Sequence, residues 1–308
     1  MSRSYSNPNA FAQALKVRVK RRAREMGVGF NRVLQTILFE RFLARAYDSL
    51  GDAIILKGGF ALELRLTRAR TTKDVDIRVT GDLDELISRL EEAAARQKED
   101  YLTFEFVEQR DFEEMLGDQI VYEGRRLRIQ PKLAAQPFGG IFKLDISVAD
   151  KLLLPPDPVY GTDLLEFIGI APIEHRVYPV EAHVAEKLHA VTTTYANSQN
   201  GRLKDLVDLG LFATNFRFGA DKLRKSIDAT FEFRDTHPVP SELPAPPEFW
   251  ESLYGKMRDK DDLRWDNLES LQVLCVAFLN PLLEKTATTD LFWVPDKQAW
   301  VDDGEETS

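Results

Sequence analysis

The sequence predicts an α+β fold: a small mixed sheet behind N-terminal helices, followed by a helical C-terminal half. Three observations carry this. Residues 30–50 repeat apolar side chains at helical spacing. From residue 53 to 148 the pattern switches to short runs of alternating period, and beyond the proline-rich Leu154–Pro158 stretch it returns to helical spacing. At 308 residues the chain suits two domains or more. The expected division is 1–50 as N-terminal helices, 51–175 as the sheet-bearing core and 176–308 as a helical C-terminal domain.

Leu15 to Arg24 (LKVRVKRRAR) reads as a basic helix broken by Met26-Gly27-Val28-Gly29. Val33, Leu34, Ile37, Leu38, Phe42 and Leu43 give the next helix one apolar face, ended near Gly51. Ala53 to Leu56 is a short buried strand running into Lys57-Gly58-Gly59, and Phe60 to Leu66 suits a helix. Val75 to Val79 alternates as a strand. Asp82 to Gln97 is a helix whose acidic start complements its dipole. Tyr101 to Glu108, Gln119 to Tyr122, Arg125 to Gln130 and Lys143 to Val148 read as strands, with Glu123-Gly124 as a hairpin turn. Helices are expected at Val180–Tyr195, Arg202–Ala213 and near 249–258 and 265–285. His237 to Glu248, with five of the fifteen prolines, is a loop.

Charge and composition exclude several classes. No apolar run approaches the roughly 18 residues a membrane helix needs, and the N-terminus lacks a signal core, so a cytoplasmic protein is expected. The single cysteine, Cys275, rules out an internal disulfide. Four scattered histidines argue against a zinc hydrolase, and neither a P-loop nor a Gly-x-Ser-x-Gly elbow is present. The net charge of −9 is uneven: residues 1–50 carry +7 and residues 220–308 carry −9. Local contact with a polyanion and plain solvated helices both fit that asymmetry.

Chemistry concentrates in four places. Gly58-Gly59 at a strand-to-helix junction is an ordinary tight turn or a phosphate cradle. Asp74-Val75-Asp76 puts Thr72, Asp74, Asp76 and Arg78 on one strand face and Val75, Ile77 and Val79 on the other. Two carboxylates so placed repel unless solvent or a cation separates them. Asp145 in Lys143-Leu144-Asp145-Ile146-Ser147-Val148 has the same outward position, as a solvated strand residue or as a third carboxylate of an Mg²⁺ site. Lys187 flanks the stripe Val180, Val184, Leu188, Val191, and Asp205 and Asp208 lie three apart on the next helix. A snorkelling lysine and a solvated acidic face account for them equally well.

Gly58-Gly59 followed by Asp74-x-Asp76 resembles the opening of the polymerase-β-like nucleotidyltransferases. Leu56-Lys57-Gly58-Gly59, Arg70-Thr71-Thr72-Lys73-Asp74-Val75-Asp76-Ile77, Val177-Tyr178-Pro179-Val180-Glu181, Ala185-Glu186-Lys187-Leu188-His189-Ala190 and Asn200-Gly201-Arg202-Leu203-Lys204-Asp205-Leu206-Val207-Asp208-Leu209 together resemble the AbiEii/AbiGii toxin family. The likeness spans about residues 30–212. It departs at Phe60, where many members carry a small hydroxyl residue.

The resemblance implies an Mg²⁺-dependent toxin of a toxin–antitoxin pair that moves NMP from NTP to an acceptor. RNA, foremost the tRNA 3′ end, is the expected acceptor; transfer to a protein hydroxyl and a non-catalytic RNA-binding relic are the alternatives. It places the family signature on Lys57, Asp74, Lys187 and Asp205, and with the second carboxylate of the pair the expected catalytic set is Asp74, Asp76, Lys187 and Asp205. Nucleotide falls to Lys57, Gly58, Gly59 and Lys187, and metal to Asp74 and Asp76 with Asp145. The expected partners are NTP, RNA and a cognate antitoxin. Thr72, two residues before Asp74, is a candidate for silencing by phosphorylation, and equally a β-branched residue chosen for strand propensity.

Overall fold

The computed structural model describes residues 7–66, 72–116, 119–148, 154–193 and 202–302. Arg70 and Thr71 of the first motif and Asn200-Gly201 of the last lie outside them. The N-terminal helices are α1 (Pro8–Met26) and α2 (Phe30–Leu50). Asn7 caps α1 through Asn9 N–H, and the left-handed Gly27 ends it. There follow β1 (Ile54–Lys57), α3 (Gly58–Arg65), β2 (Asp74–Val79) and α4 (Leu83–Ala95). The long strands β3 (Leu102–Leu116) and β4 (Gln119–Leu133) come next, then β5 (Gln136–Pro137), β6 (Phe142–Val148), β7 (Asp157–Tyr160) and β8 (Glu174–Val177).

The sheet runs β3-β4-β6-β2-β1-β8-β7, with β5 also paired to β4. The β2–β6 and β1–β8 pairs are parallel and the others antiparallel, so the sheet is mixed, as expected. The expected turn at Glu123-Gly124 is overturned. Here β4 passes straight through, with Gly124 opposite Phe112 and Ser147, and its pairing with β3 continues to Leu116 opposite Gln119. A glycine inside a strand reads as a turn from sequence, but pairing on both sides satisfies the backbone there.

One face of the sheet is apolar. Val75, Ile77, Val79, Leu127, Ile129, Leu144 and Ile146 share a single core with α2, α4 and the α1 stripe Phe11, Leu15, Val19 and Ala23. The basic residues of α1 therefore sit outside the helices on this face. Arg41 and Arg45 of α2 reach the fully buried Asp100 at 2.6 and 2.7 Å, an ion cluster that fixes α2 to the start of β3.

The C-terminal half comprises α5 (Val180–Thr192), α6 (Leu203–Asn215), β9 (Phe218–Gly219), α7 (Ala220–Arg234), α8 (Trp250–Asp261), α9 (Leu268–Leu283), β10 (Leu291–Val294) and β11 (Ala299–Asp302). These elements form a second core around Val184, Leu188, Phe212, Trp250 and Phe278, to which α3 contributes Leu62. The sequence reading missed α7, a polar helix whose buried side chains include only Leu223, Ile227 and Phe231 among large apolar ones. It also missed the small β9-β10-β11 sheet closed by Trp293 and Trp300.

Candidate active site

The face of β2 opposite the apolar core carries the acidic pair, and sheet register decides what stands beside it. Asp76 pairs with Asp145 of β6 on one side and with Lys57 of β1 on the other. Asp145 in turn pairs with Arg126 of β4. Four neighbouring strands thus present Arg126, Asp145, Asp76 and Lys57 as one row. Arg126 grips Asp145 with two bonds of 2.7 Å, the parallel fork expected of guanidinium on carboxylate.

This row floors a cavity of about 600 Å³, which Asp74, Thr72, Gly58 and Gly59 also line. Helix α5 supplies its wall through His183, Glu186 and Lys187, and the start of α6 adds Arg202, Lys204 and Asp205. All the residues expected to act together therefore meet in one place. Burial pushes the Asp76 carboxyl up to about 6; Lys57 and Lys187 work against that shift, while Asp145 and Asp74 reinforce it.

The glycine junction is tighter than the sequence implied. Gly58 has φ +70°, and a Cβ there would fall 1.9 Å from an oxygen of Asp76. Its N–H donates to Nε2 of His183 at 3.0 Å. That bond puts the imidazole proton on Nδ1, and burial holds the ring neutral by lowering its pKa to about 3. With the Gly58 N–H turned to His183, the N–H groups of Gly59 and Phe60 are those left at the start of α3 for an anion. The Phe60 side chain is fully buried against Phe39, so the departure from the family at this position lies in the core and not in the cavity.

Lys187 projects beside the α5 stripe, as its spacing required. Its Nζ lies 2.5 Å from Asp205 and 3.1 Å from Asp208, which is almost wholly buried. Beneath the cavity, Arg78 donates to the hydroxyl of Tyr178, which donates to Glu186 at 3.1 Å. Burial would raise the Glu186 carboxyl, but the Lys57 and Arg234 cations and the Tyr178 hydroxyl hold it well below the usual carboxylate range. Thr72 is buried; its hydroxyl donates to the carbonyl of Asp74 and its N–H to Glu63.

Sequence reasoning did not single out Arg126, His183, Glu186, Arg234, Arg202 or Lys204 for this cavity. Glu186 adjoins the motif lysine, and Arg126 sits on an alternating strand, but only the sheet order brings Arg126 to Asp145.

Comparison with known proteins identifies the chain. Residues 41–273 match the AbiEii nucleotidyl transferase toxin of type IV toxin–antitoxin systems. The protein belongs to that family. It is a nucleotidyltransferase toxin, with NTP as substrate and an antitoxin as partner. Its fold is similar to that of MenT4, a nucleotidyltransferase toxin from Mycobacterium tuberculosis, at a TM-score of 0.55 and 14% identity, over 94% of this chain and 95% of that one. JHP933 from Helicobacter pylori aligns at 0.43 and 16%, over 82% and 94%. No curated protein matches by sequence. Among the described residues, no helix is long and apolar enough to cross a membrane.

The donor chemistry suits Mg²⁺, which takes carboxylate oxygens, keeps waters and accepts substrate phosphates. Asp74, Asp76 and Asp145 offer oxygen alone, and burial raises the Asp76 carboxyl despite Lys57 and Lys187 nearby. As they stand, no three acidic, histidine or cysteine side chains among the described residues converge on one point, and both oxygens of Asp145 face Arg126. Asp74 and Asp76 are the carboxylates that could hold such an ion, and Asp145 could add to them only if Arg126 released it.

Proposed function

We propose that this AbiEii toxin transfers NMP from an NTP to RNA, with the tRNA 3′ end as the acceptor whose blockage stops translation. The observation that carries the reading is the Arg126–Asp145–Asp76–Lys57 row, which floors a polar cavity large enough for a nucleotide. Asp74 and Asp76, with Asp145, would hold Mg²⁺, which supplies charge neutralisation to the triphosphate when bound. Lys57 and Lys187 bind the triphosphate from the two sides, one from the sheet and one from α5. Asp205 and Asp208 hold Lys187 in place, so its charge meets the phosphates without reorganisation. The acceptor hydroxyl oxygen bonds to the α-phosphorus as its proton passes to water, the bond from the α-phosphorus to the bridging oxygen breaks, and pyrophosphate leaves.

Incubation with each α-labelled NTP, Mg²⁺ and total bacterial RNA or lysate tests this on one gel. Label on a tRNA-sized band supports it. Label on protein alone, or no label with any NTP, overturns the RNA reading.

In the same reading the antitoxin silences the site by phosphorylating Thr72, which would set about −1.5 to −2 charges beside Asp74. The hydroxyl must first leave the Asp74 carbonyl. Mass spectrometry of the neutralised toxin tests this; unmodified Thr72, or equal neutralisation of Thr72→Val, rejects it.

A further inference from the structure

The carboxylate row does not end at the cavity. On the same face, the next row out pairs Asp74 with Lys143 of β6, Lys143 with Arg128 of β4, and Arg128 with Glu108 of β3. Arg110 of β3 follows Arg126 in the first row. Strands lie about 4.8 Å apart, so Lys143 stands one spacing from Asp74 and Arg128 about 10 Å from it.

This face is open. Arg126, Arg128, Lys143 and Arg110 are exposed, while the alternate residues Leu127, Ile129 and Leu144 are buried in the core behind them. Four cations here meet Glu108, which pairs with both Arg110 and Arg128, and Asp145, which pairs with Arg126. On β3, β4 and β6 four cations face the two carboxylates Glu108 and Asp145, a local excess of positive charge on a chain of formal charge −9, and this part of the face leads straight to Asp74 and Asp76 on β2. Across the cavity, Arg202 and Lys204 continue it on α6.

The geometry points to the uncovered face of β3, β4 and β6 as the docking surface for the phosphate backbone of the acceptor RNA. Arg128 and Lys143 are its main phosphate contacts. The inference rests on the RNA reading above. It moves the contact away from the basic helix α1, the place that charge along the sequence suggests. Lys16, Lys20 and Arg24 of α1 are exposed, but α1 packs into the core behind the sheet, on the side away from Asp74 and Asp76. Phosphate contacts position a strand without reading its sequence, as suits an enzyme that must bring one chain end over its carboxylates.

The test compares the full-length wild type with Arg110→Ser/Arg128→Ser/Lys143→Ser and with Lys16→Ser/Lys20→Ser/Arg24→Ser. For each, the KM for tRNA, kcat, NTP affinity and RNA affinity from 50 to 200 mM salt are measured. The strand-face variant should bind RNA about tenfold or more weakly, with its log–log salt slope flatter by about 2, since each lost contact to a single strand removes about 0.7. Its kcat and NTP affinity should be unchanged, and the α1 variant should match wild type. Photocrosslinking of 4-thiouridine RNA to the wild-type protein gives a readout that no variant's folding can affect; peptides from 102–148 should carry the RNA.

Crosslinks confined to α1, an unchanged slope in the strand-face variant, or loss of antitoxin binding with tRNA KM unaltered would overturn the surface while wild-type labelling of tRNA still stands. A wild type that labels no RNA removes the acceptor reading, and this surface with it.

Discussion

Asp76 and Asp145 stand side by side on adjacent parallel strands, and Arg126 already holds the second through both oxygens. Asp76 has no such fork. Buried and next to two carboxylates, it is pushed up to about 6 despite Lys57 and Lys187. The ionised fold therefore carries a local cost that a bound cation would relieve.

Asp76→Asn should abolish label transfer, a loss of at least about a hundredfold, while leaving the apo protein as stable or more so. A carboxyl raised in the folded state loses stabilisation as pH rises from about 4 to 6, so the gain from Asn appears above pH 6 and vanishes below pH 4. Its ceiling is about 3 kcal/mol. Thermal melts of apo protein at pH 4 and 7.5 check this. A markedly lower midpoint at pH 7.5 would make Asp76 a structural residue.

Lys187→Ala should cost roughly 3–5 kcal/mol, because it takes its cation from the almost wholly buried Asp208, while Asp205 keeps Arg202 at 3.7 Å. Lys187→Ala/Asp208→Asn should recover part of that stability by removing one buried charge, yet remain inactive. Urea unfolding and the transfer assay, run in parallel, separate the two effects. Recovery of transfer along with stability would reduce Lys187 to a structural cation.

Much of this site is legible in the sequence alone. Val75, Ile77 and Val79 alternate with Asp74 and Asp76, so the two faces of β2 followed from a period of two. The α5 stripe likewise placed Lys187 at its edge. What stayed hidden depends on which strands become neighbours. Arg126 reaches Asp145 only because β4 lies beside β6, and Gly124 read as a turn because its pairing on both sides is a tertiary fact. Helix α7 was missed for a different reason: its polar sequence is held by packing around Leu223, Ile227 and Phe231 and not by a strong apolar pattern.

Gly58→Ala should be far more damaging than an exposed glycine change. The residue is at φ +70°, and the new methyl would collide with the Asp76 carboxylate. A left-handed alanine alone costs about 1 kcal/mol; the clash adds to it and displaces Asp76. We expect loss of transfer with a lowered melting midpoint, whereas Gly29→Ala, with open space around it, should keep full activity. Retained activity in Gly58→Ala would mean that the junction relaxes freely and that Asp76 need not sit where it does.

Glu40 gives the protein a second pH dependence, far from the cavity. Its carboxylate accepts from Thr162 N–H at 2.6 Å and from the Thr162 hydroxyl at 2.7 Å, tying α2 to the loop between β7 and β8. Burial raises it to about 7, although the two Thr162 bonds and Arg41 oppose the shift. Because the folded pKa lies above the unfolded value of 4.5, the stabilisation is complete below pH 4.5 and is lost as pH rises towards 7, by at most about 3 kcal/mol. Glu40→Gln cannot ionise, so it should flatten this part of the profile. At pH 5 the folded wild type carries a protonated carboxyl, which offers Thr162 one acceptor oxygen and one donor, as the amide does. The two stability curves should therefore lie close together near pH 5 and diverge as pH rises, with Glu40→Gln ahead at pH 8. Urea unfolding free energies at half-unit steps from pH 5 to 8 would show the divergence; parallel curves would mean that Glu40 stays ionised throughout and that Thr162 outweighs burial.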